Sequence, residues 1–232
     1  MNLFYTTDIQ GDEAFLQEEE ARHCTQVLRM RVGDLIHFVD GQGNFYEGQI
    51  AGIAKKTCTI QIEQRRPEPG RPFGVHIAIA PTKNIDRFEW FLEKATEIGI
   101  DAITPLLCAH SERRQLRPDR LEKVLVAAMK QSLKANLPVL YPLTTFETFV
   151  TQATDYKKII AWLSTPPQPL LQRICTPDEK VLVLIGPEGD FSAKEIEYAL
   201  EHGFVGASLG NSRLRTETAG MVACHTLHLL NA

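Results

Sequence analysis

Apolar and polar positions in the first part of the chain fall in short alternating runs. Leu35-Ile36-His37-Phe38-Val39 is followed by a turn at Asp40-Gly41-Gln42-Gly43 and then by Phe45-Tyr46-Glu47-Gly48-Gln49-Ile50. Cys58-Thr59-Ile60-Gln61-Ile62 alternates as a half-buried strand does. One short helix is predicted around Glu18 to Val27. This texture predicts a small β-barrel over residues 1–70, poor in helix.

The texture changes at Arg65 to Gly74, where three prolines and two glycines in ten residues mark a linker. From residue 74 to 232, strand and helix alternate. Predicted strands are Val75 to Ala80, Ala102 to Leu107, Val139 to Tyr141, Lys158 to Trp162, Lys180 to Ile185 and Val205 to Leu209. Between them the 3.6-residue period predicts helices over Asp86 to Ile98, with Gly99 as its stop, and over Pro118 to Lys134. Shorter helices fit Phe146 to Ala153 and Gln168 to Ile174. Val181 to Ile185 is apolar on both faces, as an interior parallel strand is. The second region therefore reads as an α/β domain with a mostly parallel sheet.

Composition adds constraints. The hydrophobic share of 44% and charged share of 23% are those of a soluble globular protein. No apolar run is long enough to span a bilayer, and the first residues lack the pattern of a secretory signal, so a cytoplasmic protein without membrane attachment is expected. The five cysteines and seven histidines are scattered without metal-ligand spacing, so no metal is expected. Net charge is −4, yet His110 to Lys134 carries seven basic against three acidic residues. That stretch can meet a phosphate backbone or form a solvated helix face.

Two glycine-bearing turns carry the candidate chemistry. Ile185 runs into Gly186-Pro187-Glu188-Gly189-Asp190-Phe191-Ser192, and Ser192 with Glu195 forms a capping-box pattern opening the next helix. Val205 to Leu209 leads to Gly210-Asn211-Ser212-Arg213-Leu214-Arg215-Thr216-Glu217-Thr218-Ala219, where Thr216 is placed to cap a last helix. Both turns join the carboxyl end of a strand to a helix start, where open α/β sheets place ligands. Spacing alone allows either a shared pocket or plain tight turns. Neither turn has the lysine-bearing form of a phosphate-binding loop.

Taken with Leu184-Ile185, these two turns resemble the SPOUT-class methyltransferases of the RsmE type. So do His23-Cys24-Thr25-Gln26-Val27-Leu28-Arg29 with Gly33-Asp34, Lys94-Ala95-Thr96-Glu97-Ile98-Gly99, and Gln131-Ser132 with Pro138. The resemblance covers the whole chain. It implies a PUA-like RNA-binding barrel over 1–70 and a SPOUT trefoil-knot domain with a mostly parallel sheet over 74–232. It also implies a homodimer acting on 16S rRNA or the small ribosomal subunit, with S-adenosyl-L-methionine as methyl donor to N3 of a uridine. The donor-binding residues it implies are Leu184, Gly186, Pro187, Glu188, Gly189, Leu209, Gly210, Leu214, Thr218 and Ala219. The chain departs from the resembled pattern at three places: Asp190 stands for a glycine, Asn211-Ser212-Arg213 for a Pro-Arg-Ile type stretch, and Lys130 for an acid.

Uracil N3 holds a proton at neutral pH, which must leave before or during methyl transfer. Arg215 is the candidate to stabilise the resulting negative charge or grip a phosphate, and Glu217 the candidate base or the group that orders Arg215. Arg29, Arg113 and Arg114 are candidate RNA contacts. Alternatives are the same fold acting on another rRNA or tRNA position, and a non-catalytic RNA-binding assembly factor.

Overall fold

The computed structural model describes residues 2–152 and 154–232. It divides into two units, Met1–Gly70 with Val126–Leu137, and Arg71–Leu125 with Pro138–Ala232.

In the first unit, β1 (Leu3–Tyr5), β2 (Ile9–Gln10) and β3 (Glu13–Gln17) lead to helix α1 (Glu18–Arg22), which continues as a π-helical turn over His23–Val27. Strands β4 (Leu35–Val39), β5 (Asn44–Ile53) and β6 (Thr57–Pro67) complete a six-stranded sheet in the order β1-β4-β5-β6-β3-β2. All neighbours are antiparallel except β1 and β4. Two register shifts interrupt the β5–β6 ladder, after Glu47 and after Ile50, and such irregularities help a sheet curl. At Gly48 an added Cβ would lie 2.3 Å from the Gln61 carbonyl oxygen, so only glycine lets β5 and β6 approach so closely. Alternating apolar side chains (Phe4, Leu16, Ile36, Phe38, Ile50, Ile60) fill the interior with Cys24 and Cys58.

A second apolar cluster in this unit joins Leu3 and Val39 to Met129 and Ala135. The Glu68 carboxylate accepts from the Ala135 N–H and the Asn136 amide, at 3.2 and 2.7 Å. Lys130, the departure noted above, makes a largely buried ion pair with Glu20.

The second unit holds a seven-stranded sheet in which every pairing is parallel. In chain order it contains β7 (Gly74–Ile79), α2 (Ile85–Ile98), β8 (Ala102–Leu107), α3 (Pro118–Gln131), β9 (Val139–Leu140), β10 (Thr144–Thr145) and α4 (Phe146–Val150). Then follow β11 (Lys157–Ala161), α5 (Leu171–Ile174), β12 (Lys180–Ile185), α6 (Ala193–Glu201), β13 (Val205–Ala207) and α7 (Thr216–Leu229). Residues of α3 from Val126 onward count with the first unit. The sheet order is β10-β8-β7-β12-β11-β13, with β9 also on β8.

One sheet face, through Ala78, Leu182, Leu184 and Ile160, packs on Phe146, Phe149, Phe191, Ala199 and Phe204. On α7, Gly220 leaves room for the Phe91 ring and for Ile79, since an added Cβ would lie 2.7 and 2.8 Å from them. The last helix therefore seats against α2 and β7 rather than beside its preceding strand β13.

Several predicted elements are shorter than expected. The helix from Pro118 ends at Gln131 rather than Lys134, and Leu133 turns left-handed at φ 53°. The helix expected from Gln168 begins only at Leu171, after a segment with Pro169. The helix from Phe146 stops at Val150, and its predicted end at Ala153 lies outside the described residues. The strand predicted to run to Leu209 ends at Ala207. Thr216 does not cap α7. Arg215 holds the cap position without a side-chain cap bond, and the Thr216 hydroxyl donates instead to the Gly186 carbonyl oxygen at 3.1 Å.

Candidate active site

The strands β12, β11 and β13 are neighbours, so their carboxyl ends bring three connections together. These connections line one cavity: Trp162 and Leu163 after β11, Gly186 to Glu188 and Asp190 after β12, and Ser208 to Gly210 with Ser212 to Leu214 after β13. Ala161, Ile185, Thr216 and Ala219 complete the lining.

The turn after β12 is tight. The Asp190 N–H donates to the Pro187 oxygen at 2.9 Å, and a Cβ at Gly186 would lie 3.1 Å from the Phe191 nitrogen. Asp190 is left-handed at φ 60°, a conformation that aspartate tolerates better than most side chains. At Gly210 φ is 124°, which a residue with a Cβ avoids.

Neighbouring loops fasten this turn. One carboxylate oxygen of Glu188 accepts from the Lys83 N–H at 2.9 Å, in the connection after β7. Glu195 is buried, and its two oxygens serve two loops. One accepts from the Ala109 N–H after β8, and the other from the N–H and hydroxyl of Ser192, all at 2.8 Å. The Ser192–Glu195 capping box that the spacing predicts is present. His110 Nδ1 lies 3.0 Å from the Asp190 main-chain oxygen.

Seven of the ten predicted donor residues line the cavity: Gly186, Pro187, Glu188, Leu209, Gly210, Leu214 and Ala219. Leu184 instead lies fully buried within β12, among the aromatic cluster. Gly189 packs on His110, where a Cβ would meet the histidine Cβ at 3.2 Å. Thr218 faces a second, more open cleft with Asp86, Arg87, Trp90, Arg215 and Glu217. Arg213 and Leu214 line both spaces, so the two adjoin along these residues.

Among the predicted RNA contacts, Arg29 and Arg114 are exposed. The Arg113 guanidinium donates to the carbonyl oxygens of Thr82 and Lys83, at 3.1 and 2.6 Å, and so braces the loop after β7. Sequence reasoning missed Trp162, Leu163, Asp190, Ser208, Arg213 and Thr216 as lining residues. The rule that open sheets bind at strand carboxyl ends could have singled out Trp162 at the end of its strand, yet only the strand order reveals that β11 neighbours β12. Among the described residues no group of His, Cys, Asp and Glu is arranged to hold a metal ion.

The lining fits S-adenosylmethionine. Trp162, Ile185, Leu209 and Leu214 offer apolar surface to an adenine, and glycine turns bring main-chain polar groups close. Glu188 and Asp190 put negative charge beside a ligand that carries a sulfonium.

Comparison with known proteins agrees with this geometry. The RNA methyltransferase domain family matches residues 69–228, and the RNA methyltransferase PUA domain family matches residues 16–63. A relative named ribosomal RNA small subunit methyltransferase E, from Buchnera aphidicola, is 28% identical, aligning over 93% of this chain and 87% of its own. A Porphyromonas gingivalis structure described as a probable rRNA-methyltransferase is 41% identical, with a TM-score of 0.92 over 100% of this chain and 98% of its own. A ribosomal RNA small subunit methyltransferase E from Neisseria gonorrhoeae, bound to S-adenosyl methionine, is 25% identical with a TM-score of 0.86, covering 100% and 98% of the two chains. The chain belongs to the RNA methyltransferase family, with an amino-terminal PUA domain and a carboxy-terminal domain of the SPOUT trefoil-knot class.

Proposed function

We propose that this enzyme transfers a methyl group from S-adenosylmethionine to N3 of a uridine in small-subunit (16S) ribosomal RNA. The observation that carries the reading is the cavity at the ends of β11, β12 and β13, adjoining an open arginine-bearing cleft along Arg213 and Leu214. The relatives named for small-subunit rRNA, and the neighbour bound to S-adenosyl methionine, support the choice of donor and acceptor. In this reading residues 1–70 form the RNA-binding barrel and 74–232 the transferring domain.

When bound, the donor supplies an electrophilic methyl; this chain's residues orient the partners and manage the N3 proton. Gly186, Gly210 and the Leu209 and Leu214 side chains hold the donor, and the adjoining cleft receives a base turned out of its strand. Arg215, in that cleft, stabilises the negative charge left on uracil as N3 loses its proton. Glu217 is buried and lines the same cleft, and in this reading it takes the proton or orders Arg215. Arg29 and Arg114 meet the RNA backbone, while Arg113 shapes the loop next to it. The homodimer implied by the resemblance belongs to this proposal, and the half-exposed Trp90 at the cleft offers apolar surface for it. So does a cytoplasmic location; among the described residues no helix is long and apolar enough to cross a membrane.

Mass spectrometry of ribosomal RNA from a strain lacking the gene tests the reading. N3-methyluridine disappears and returns on complementation. An unchanged N3-methyluridine level with another methylation lost moves the acceptor, and no methylation change together with no donor binding in calorimetry leaves an assembly factor.

A further inference from the structure

We propose that Asp190 is a positioning residue that latches the Trp162-Leu163 wall onto the turn after β12, and so sets the shape of the donor cavity. The inference rests on the reading of that cavity as the donor site. Both carboxylate oxygens of Asp190 are engaged: Oδ1 accepts from the Phe191 N–H at 2.8 Å, and Oδ2 from the Leu163 N–H at 3.2 Å. The first bond is local, to the main chain of the next residue. The second spans 27 residues and joins two different strand connections.

The segment after β11 needs such a tie. Its far end is held by Ser208, which donates through its N–H to the Pro169 oxygen at 2.8 Å and accepts through its own oxygen from the Leu171 N–H at 2.9 Å. At its near end Leu163 is largely exposed, and its main chain is held by Asp190. Trp162 lies against Gly206 of β13, where an added Cβ would sit 2.5 Å from the indole. The indole is thus confined from the β13 side, while its backbone is fixed from the β12 side.

Asp190 also adopts a left-handed backbone at φ 60°, a conformation free to glycine and strained for most residues with a Cβ, though less so for aspartate.

The test compares the wild-type chain with D190G, D190N and D190A in three measurements. These are calorimetry with S-adenosylmethionine, amide exchange at Leu163 in the absence of donor, and separate KM values for donor and RNA. D190G keeps the backbone conformation and loses both bonds. It is expected to bind donor about tenfold more weakly, as loss of a charge-assisted hydrogen bond implies. Its Leu163 amide exchanges faster, while its KM for RNA is unchanged. D190N keeps one acceptor and falls between; D190A adds backbone strain and loses thermal stability as well. Unchanged Leu163 exchange in D190G overturns the latch whatever the donor affinity, because losing the Asp190 charge beside the sulfonium weakens binding by itself. If the wild-type chain itself fails to bind donor, the donor-site reading falls, and Leu163 exchange alone then decides whether the latch exists.

Discussion

The two ends of the parallel sheet answer the same geometric situation differently. At the carboxyl ends of β12, β11 and β13, glycine turns expose main-chain groups, and loops are fastened to one another by Glu188, Asp190 and Glu195. At the amino-terminal halves of β7, β8 and β11, a second hollow is lined by side chains: His76, Thr104, Tyr141, Phe149, Tyr156 and Lys158. Here polarity is answered from within. His76 Nε2 lies 2.8 Å from the Thr104 hydroxyl, its ring stacks on Tyr141, and its edges meet Phe149 and Tyr156. The Lys158 ammonium donates to the His202 oxygen at 3.3 Å. One end leaves main-chain groups open to a ligand and ties its loops with carboxylates, and the other pairs its polar side chains with its own neighbours.

The contrast predicts that ligand-facing groups at the carboxyl end alter catalysis, whereas groups at either end that bond only to the protein alter stability. The largest effect is expected for R215A. Loss of one charge-stabilising group lowers kcat roughly 100-fold, with donor affinity in calorimetry unchanged. A wild-type kcat in methyl incorporation assays removes Arg215 from the chemistry.

Next comes His76, whose pKa burial pushes down to about 4. The unfolded chain takes up this proton near pH 6.5, whereas the folded imidazole resists it until about pH 4, so stability falls as the medium is acidified between those values. From pH 6.5 to pH 5 the contribution is about 2 kcal/mol. Urea unfolding at the two pH values measures it. In H76Q this part of the pH dependence vanishes, while kcat at pH 7.5 is retained; a loss of kcat erases the distinction between the two ends.

The smallest effect is expected for T216V, which removes the hydroxyl bond to Gly186. It costs about 1 kcal/mol of unfolding free energy and leaves kcat within a factor of about two. A larger loss of donor affinity than of stability makes this bond part of the cavity wall.

What the sequence revealed was mostly local. The stop at Gly99 follows from glycine's left-handed freedom, and the structure has φ 117° there. The Ser192–Glu195 box follows from a three-residue spacing. Tertiary demands erased other signals. The Thr216 hydroxyl looks like a cap along the chain, but a carbonyl 30 residues away claims it. Leu184, a candidate through resemblance, points into the aromatic cluster because strand alternation turns it from the cavity. Arg113, one of a basic run, holds two carbonyl oxygens. Trp162 and Leu163 join the site through strand order, which no local pattern encodes.

The first unit is assembled from two stretches of chain, and this has a consequence for synthesis. Leu3 and Val39 find their apolar partners in Met129 and Ala135, while Glu68 and Glu20 wait for Asn136 and Lys130. On the ribosome, the six strands are made long before those partners emerge. The nascent barrel thus keeps an apolar patch, a Glu68 carboxylate without its partners and a Glu20 carboxylate held by the Tyr5 N–H but without its cation until more than half of the chain has been translated. A fragment ending at the linker inherits that unfinished surface permanently.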